Sequence, residues 1–161
     1  MKYQIFEPIF VTTKPQKMKH IIPFAFFISV ALISCNGIMN DKVKGNGNIK
    51  TENRTAGIFS SVDVSGNIDL YVKQDSVNSV RIEADENLLQ YIVVRTEGSR
   101  LIVKSKEGYN LSGSKDIKVY VSSPVYKCLE APFSCTIISE NKITSNTNLD
   151  IDLSGDSDID L

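Results

Sequence analysis

Five aspartates, Asp150, Asp152, Asp156, Asp158 and Asp160, crowd the closing phrase L-D-I-D-L-S-G-D-S-D-I-D-L (Leu149–Leu161). Carboxylates at alternate positions of a strand share one face, and oxygen ligands of that kind hold hard cations such as calcium. The calcium-binding β-roll repeat G-G-x-G-x-D-x-U-x places an aspartate two residues after its last glycine. After Gly155 that position is Ser157, so the series reads first as a solvated strand face, with calcium binding as an alternative. Glu83, Asp85 and Glu86 offer carboxylates for glycoside hydrolysis, which needs two of them about 5–9.5 Å apart. A turn following a strand explains them more simply. Ser65-Gly66 and Ser154-Gly155 lack the G-x-S-x-G of a nucleophile elbow. The sole histidine, His20, lies upstream of the expected mature start, so neither a Ser-His nor a Cys-His pair can form. The commonest zinc ligand is missing for the same reason. Tyr71, Tyr91, Tyr109, Tyr120 and Tyr126 could build a sugar-stacking face, but their spacing shows no cluster and favours ordinary packing. No catalytic residue, metal ligand or cofactor site is assigned.

The cysteines carry the remaining chemistry. Lys14, Lys17 and Lys19 precede an apolar run from Ile21 to Ile33 that ends at Ser34-Cys35. The run is shorter than the roughly 20 residues a membrane span needs and has the shape of a signal peptide. Its end, Leu32-Ile33-Ser34-Cys35, resembles a bacterial lipobox, which implies acylation of Cys35 and anchoring in a membrane. Each buried lipid methylene contributes about 0.8 kcal/mol, so two or more chains hold stably. Met18-Lys19-His20 would itself make an ordinary start, leaving Met1–Lys17 as an upstream extension. Cys128 and Cys135 flank L-E-A-P-F-S in an exported, disulfide-permissive setting. A bend at Pro132 that brought their β-carbons within about 4.5 Å would allow a disulfide, and two small buried side chains are the competing reading.

Residues 1–34 are therefore set aside as extension and signal peptide, and residues 35–47 as a polar, lipidated tether. Residues 48–161 remain for one modest domain. Net charge is −1 for the whole chain. Removing Lys2, Lys14, Lys17, Lys19 and Glu7 leaves the mature chain at −4, with dispersed charges that argue against nucleic acid.

Within that domain the elements are strands. Val62, Val64, Ile68, Leu70 and Val72 alternate with Asp63, Asp69 and Tyr71, a period of two with Ser65-Gly66-Asn67 as a kink. Val80, Ile82 and Ala84 alternate next. Asp85 is expected to cap one helical turn over Glu86–Leu89. Ile92–Thr96 and Leu101–Ser105 flank Glu97-Gly98-Ser99 as a hairpin. Ile117, Val119 and Val121 alternate up to Pro124, which closes the strand. The Ser-Gly kink returns at Ser154-Gly155, and no sustained helical period occurs after Asn36. The chain stops in strand phase at Leu161, an exposed edge, so the domain is expected to be incomplete there or covered by a partner.

Several phrases in this order resemble the auto-transporter adhesin head domain, or GIN domain, found in Bacteroidetes lipoproteins. They are G-N-I-K-T-E-N-R (Gly47–Arg54), F-S-S-V-D-V-S-G-N-I-D-L-Y-V (Phe59–Val72) and V-R-I-E-A-D-E-N-L-L (Val80–Leu89). L-I-V-K-S-K (Leu101–Lys106), I-K-V-Y-V-S-S-P (Ile117–Pro124) and L-S-G-D-S-D-I-D-L (Leu153–Leu161) complete the set. The resemblance implies an all-β fold, a right-handed parallel β-helix of short stacked coils, with an antiparallel β-sandwich as the alternative. Pro132-Phe133-Ser134-Cys135 replaces the Ser-Gly kink usual after Leu129-Glu130-Ala131, and the family domain usually runs on past Leu161. The implied role is non-enzymatic: adhesion or protein contacts at the cell envelope, outer-membrane sorting, and a surface protein or glycan as partner. A glycan- or calcium-binding envelope protein and a polysaccharide-acting enzyme are the alternatives.

Overall fold

The computed structural model describes residues 40–146 and 148–161; Cys35 and the apolar segment before it lie outside them. The inward residues of the alternating phrases all come from β-strands: β1 (Asp41–Lys44), β2 (Ile49–Arg54), β3 (Ser61–Ser65), β4 (Ile68–Gln74) and β5 (Ser79–Asp85). The hairpin follows as β6 (Ile92–Glu97) and β7 (Arg100–Ser105), then β8 (Tyr109–Ser112) and β9 (Ile117–Ser123). β10 (Cys128–Ala131), β11 (Thr136–Ser139), β12 (Asp150–Leu153) and β13 (Asp158–Asp160) complete the set. Order begins earlier than the expected tether allows. Asp41–Lys44 runs parallel to β8, its polar sequence needing only Val43 to pack against the core.

Two sheets face each other across one hydrophobic cluster. One has the order β12-β10-β3-β7-β6 and the other β13-β11-β4-β9-β5-β2. All neighbours in the first are parallel except the β6–β7 hairpin. In the second, β13, β11, β4 and β9 are parallel, while β5 and β2 close the stack antiparallel. These are the stacked parallel coils of the β-helical reading; the sandwich alternative fails because its strands would pair antiparallel. The coils are not stacked in chain order. The first, β3–β4, sits in the middle, between β7–β9 on one side and β10–β11 on the other.

Parallel register puts like residues in rows. Leu101, Val62 and Leu129 form one inward row; Val119, Leu70 and Ile137 form another. All six are at most 1% exposed, and burying an aliphatic side chain of this size contributes about 1.5–3 kcal/mol. The first row ends at Ile151, 44% exposed on the edge strand β12. Corners need left-handed backbone: Gly66 has φ +94 between β3 and β4, a value that favours glycine. The Pro132–Cys135 departure makes its corner with Ser134 at φ 37 instead, and Ser154 Oγ donates to Pro132 O at 2.9 Å from the coil beside it.

The helical turn at Asp85 is corrected in detail. A 3₁₀ turn forms at Leu89–Tyr91, with no side-chain cap. The Asp85 carboxylate is fully buried, covered by the bend before β2 and the loop before β9. It accepts from Gly47 N–H at 2.6 Å, Ser114 N–H at 2.8 Å and Ser114 Oγ–H at 2.7 Å. A Cβ at Gly45 would overlap that carboxylate. The possible disulfide is not formed: Cys128 and Cys135 are free. Strand parity separates them. Leu129 and Ala131 point inward on β10, so Cys128 points outward and donates to Glu130 Oε1 at 3.2 Å. Cys135 is buried, its thiol against Phe133 O at 2.9 Å.

Three outcomes follow from this packing. Asp85→Ala removes the acceptor of three part-buried hydrogen bonds and is expected to cost about 1–3 kcal/mol; Gly45→Ala should cost about 1–3 kcal/mol through overlap, both read from urea unfolding midpoints. Burial pushes the Asp85 carboxyl up, but the Ser114 and Gly47 hydrogen bonds outweigh it and hold the group below its ordinary value. Its contribution is therefore complete above about pH 4, the unfolded value, and is lost as pH falls through the folded one. Acid titration of Asp85→Asn should show a shallower loss than wild type. Burial first, then Glu130, pushes the Cys128 thiol up to about 11, and burial raises Cys135 too. Thiol labelling of the native protein should be slow at Cys128 and absent at Cys135 until denaturant is added; a pair that takes no label after unfolding until a reductant is added would contradict the free thiols.

Candidate functional site

Because successive coils are in register, outward side chains also line up across the strands. On the six-stranded sheet the register joins Ile138, Tyr71, Tyr120, Arg81 and Asn53 in one row, drawn from β11, β4, β9, β5 and β2. The Tyr71 and Tyr120 rings stack at 4.8 Å and 20°. The Arg81 guanidinium lies over Tyr120 at 3.9 Å. Lys73, Ser122 and Ser79 form the next row. Between the rows runs a cleft of about 220 Å³ floored by Val80 and Val121, with Asp75 and Glu140 at one end.

The polar groups of this cleft differ in what they have free. Lys73 Nζ and Asp75 Oδ2 pair at 2.9 Å, which raises the lysine and lowers the aspartate. Ser79 Oγ and Ser122 Oγ are 2.7 Å apart, and Ser122 donates to Val77 O at 2.7 Å. Arg81 has no hydrogen bond or ion pair among the described residues; its contact is the Tyr120 ring. Among the described residues the cleft is lined mainly by polar side chains and shows no nucleophile–base pair.

The outer face of the five-stranded sheet is acidic and partly compensated. Asp63, Glu130 and Asp152 align across β3, β10 and β12. Arg100 pairs with Glu130 and reaches Asp63 at 4.0 Å. Burial, with Glu130 second, raises the Asp63 carboxyl, and Arg100 and Lys104 oppose them.

The residues singled out in the sequence are mostly dispersed. Asp150 and Asp152 lie on β12 in one sheet, while Asp158 and Asp160 lie on β13 in the other. Asp156 sits in the corner between them. Among the described residues no three His, Cys, Asp or Glu side chains converge to hold a metal ion. Glu83 is half-buried on the outer face, Asp85 is buried, and Glu86 pairs with Lys50 and Asn48 on the turn. They form no catalytic pair. Tyr126 is buried, its hydroxyl near Lys73 O at 3.0 Å and Val121 O at 3.1 Å. Tyr91 and Tyr109 pair separately at 4.6 Å. Arg81 and Asn53 were not singled out. The available signal was the repeated phrase I-D-L-Y-V and I-K-V-Y-V, which places Tyr71 and Tyr120 at equivalent positions of stacked strands.

No helix among the described residues is long and apolar enough to cross a membrane. No curated protein matches the chain. Solved structures do. A "putative lipid binding protein" from Parabacteroides distasonis is 26% identical with a TM-score of 0.56, over 62% of this chain and 44% of that one. A "putative adhesin" from Parabacteroides merdae is 28% identical with a TM-score of 0.55, over 62% and 42%. A "putative adhesin" from Bacteroides fragilis shares the fold at 20% identity and a TM-score of 0.64, over 73% and 55%. The chain thus spans about half the length of these proteins. The family model described as "Putative auto-transporter adhesin, head GIN domain" matches residues 58–161, which hold the stacked coils and the cleft residues other than Asn53. The chain belongs to this adhesin-head GIN-domain family.

Proposed function

We propose that this protein is a non-enzymatic binding domain of the cell envelope, held to a membrane by a lipid on Cys35 and used for adhesive contacts. The observation that carries the reading is the Tyr71–Tyr120–Arg81–Asn53 row, which presents a preorganised mixed aromatic and cationic surface without catalytic groups. Stacked coils make such a surface rigid, so little conformational entropy is lost on contact. Membership of a family named for adhesion supports the role, and the lipobox-like Leu32–Cys35 supports the anchor. Outer-membrane placement fits both.

The anchor and the adhesion are tested separately. Wild-type protein should partition with membranes and carry the mass of an acylated N-terminus at Cys35; Cys35→Ala should be released to the soluble fraction without that mass. A soluble, unlipidated wild type starting elsewhere would sink the anchor. Beads coated with the protein should adhere to surfaces bearing immobilised envelope glycans or proteins, and adherence to neither would overturn the binding role.

A further inference from the structure

We propose that the cleft on the six-stranded sheet is a saccharide site that takes the carboxylate of an acidic sugar on Arg81. The proposal rests on reading the domain as a binding module, and it names the ligand class. A guanidinium whose contact is the face of an aromatic ring spends none of its N–H donors on a hydrogen bond, and their fork matches a carboxylate. Tyr120 holds Arg81 in that pose, and no acidic group among the described residues occupies the fork. The one other cation of the cleft, Lys73, is already paired with Asp75.

The opposite wall asks for hydroxyl groups. Ser122 gives its proton to Val77 O, so the Ser79 hydroxyl donates to Ser122 in the pair between them. Both oxygens are left with lone pairs to accept from a ligand. Glu140 at the end of the cleft is a further acceptor, and the Asn53 amide beside Arg81 can donate and accept. A ligand that offers one carboxylate and several hydroxyl donors satisfies both walls, and a sugar acid is the common chemistry with that pattern. The cleft, about 220 Å³, is smaller than the roughly 300–1,000 Å³ of a site for a drug-sized molecule. It therefore admits one sugar ring, and the wall continues through Tyr71 to Ile138 for the next units of a chain.

The test is calorimetric titration of the native protein in detergent with trigalacturonate and with its carboxyl-reduced, neutral counterpart. Trigalacturonate should bind at least about tenfold more tightly, the scale of a charge-assisted bidentate contact. Arg81→Gln should erase that preference while Arg81→Lys, a charge without the fork, keeps part of it; unchanged melting curves show that each variant is folded. Equal binding of the two sugars, binding of neither at millimolar concentration, or a preference that survives Arg81→Gln would overturn the proposal. Bead adhesion run beside it separates the two readings: adherence that millimolar trigalacturonate does not inhibit removes the acidic-sugar site and leaves the binding module standing.

Discussion

A buried carboxylate without a cation beside it has to be held by hydrogen bonds, and Asp85 sets the shape of the chain around it for that reason. Its oxygens collect Gly47 N–H, Ser114 N–H and the Ser114 hydroxyl. The three donors come from two segments far apart in sequence. One is the bend that leads from β1 into β2, and the other is the loop between β8 and β9. Glu86 N–H to Asn48 O at 2.8 Å and Asn87 Nδ2 to Lys44 O at 2.8 Å tie the same bend from the outside. Beyond the β5–β9 ladder, the antiparallel end of the six-stranded sheet is tied here to the coils, and Gly45 is needed because any side chain would take the carboxylate's place.

From that fastened end the parallel register does the rest. A coil laid on a coil repeats its inward and outward parity, so aliphatic rows inside and polar rows outside arise together from one alternating phrase. The two outer faces then diverge through composition alone. On the five-stranded sheet the row is carboxylates, two of them beside Arg100. On the six-stranded sheet it is stacked tyrosines with a guanidinium that has no acid to pair with. The second face is the one with free capacity for a ligand.

The parity of Phe59–Val72, the Ile92–Ser105 hairpin and the strand ending at Pro124 were all legible, since each is local and each is repeated in the burial pattern. The order of the coils was not. Nothing local tells the β7–β9 coil to sit on one side of β3–β4 and the β10–β11 coil on the other. Asp85 was read as a helix cap because an aspartate before a turn has that local option; its actual partners lie 38 and 29 residues away. Cys128 and Cys135 fall on opposite faces once β10 is given its own parity, a point their spacing around Pro132 hides. The tyrosines looked scattered for the same reason as the coil order: Tyr71 and Tyr120 meet only through register.

The capping strands and the candidate site are one device. Arg81 and Asn53 belong to β5 and β2, the antiparallel pair that ends the sheet, while Tyr120 and Tyr71 belong to the coils. The cleft therefore exists only where cap meets coil. β5 carries Arg81 near one end and Asp85 at the other, so the strand that presents the guanidinium is pinned by the buried carboxylate. β5 is held in register by its ladders with β9 and β2, so the pairing that sets Arg81 beside Tyr120 also brings Asp85 to the bend and the loop. One short strand thus carries both the carboxylate that ties the closed end and the guanidinium of the outer face.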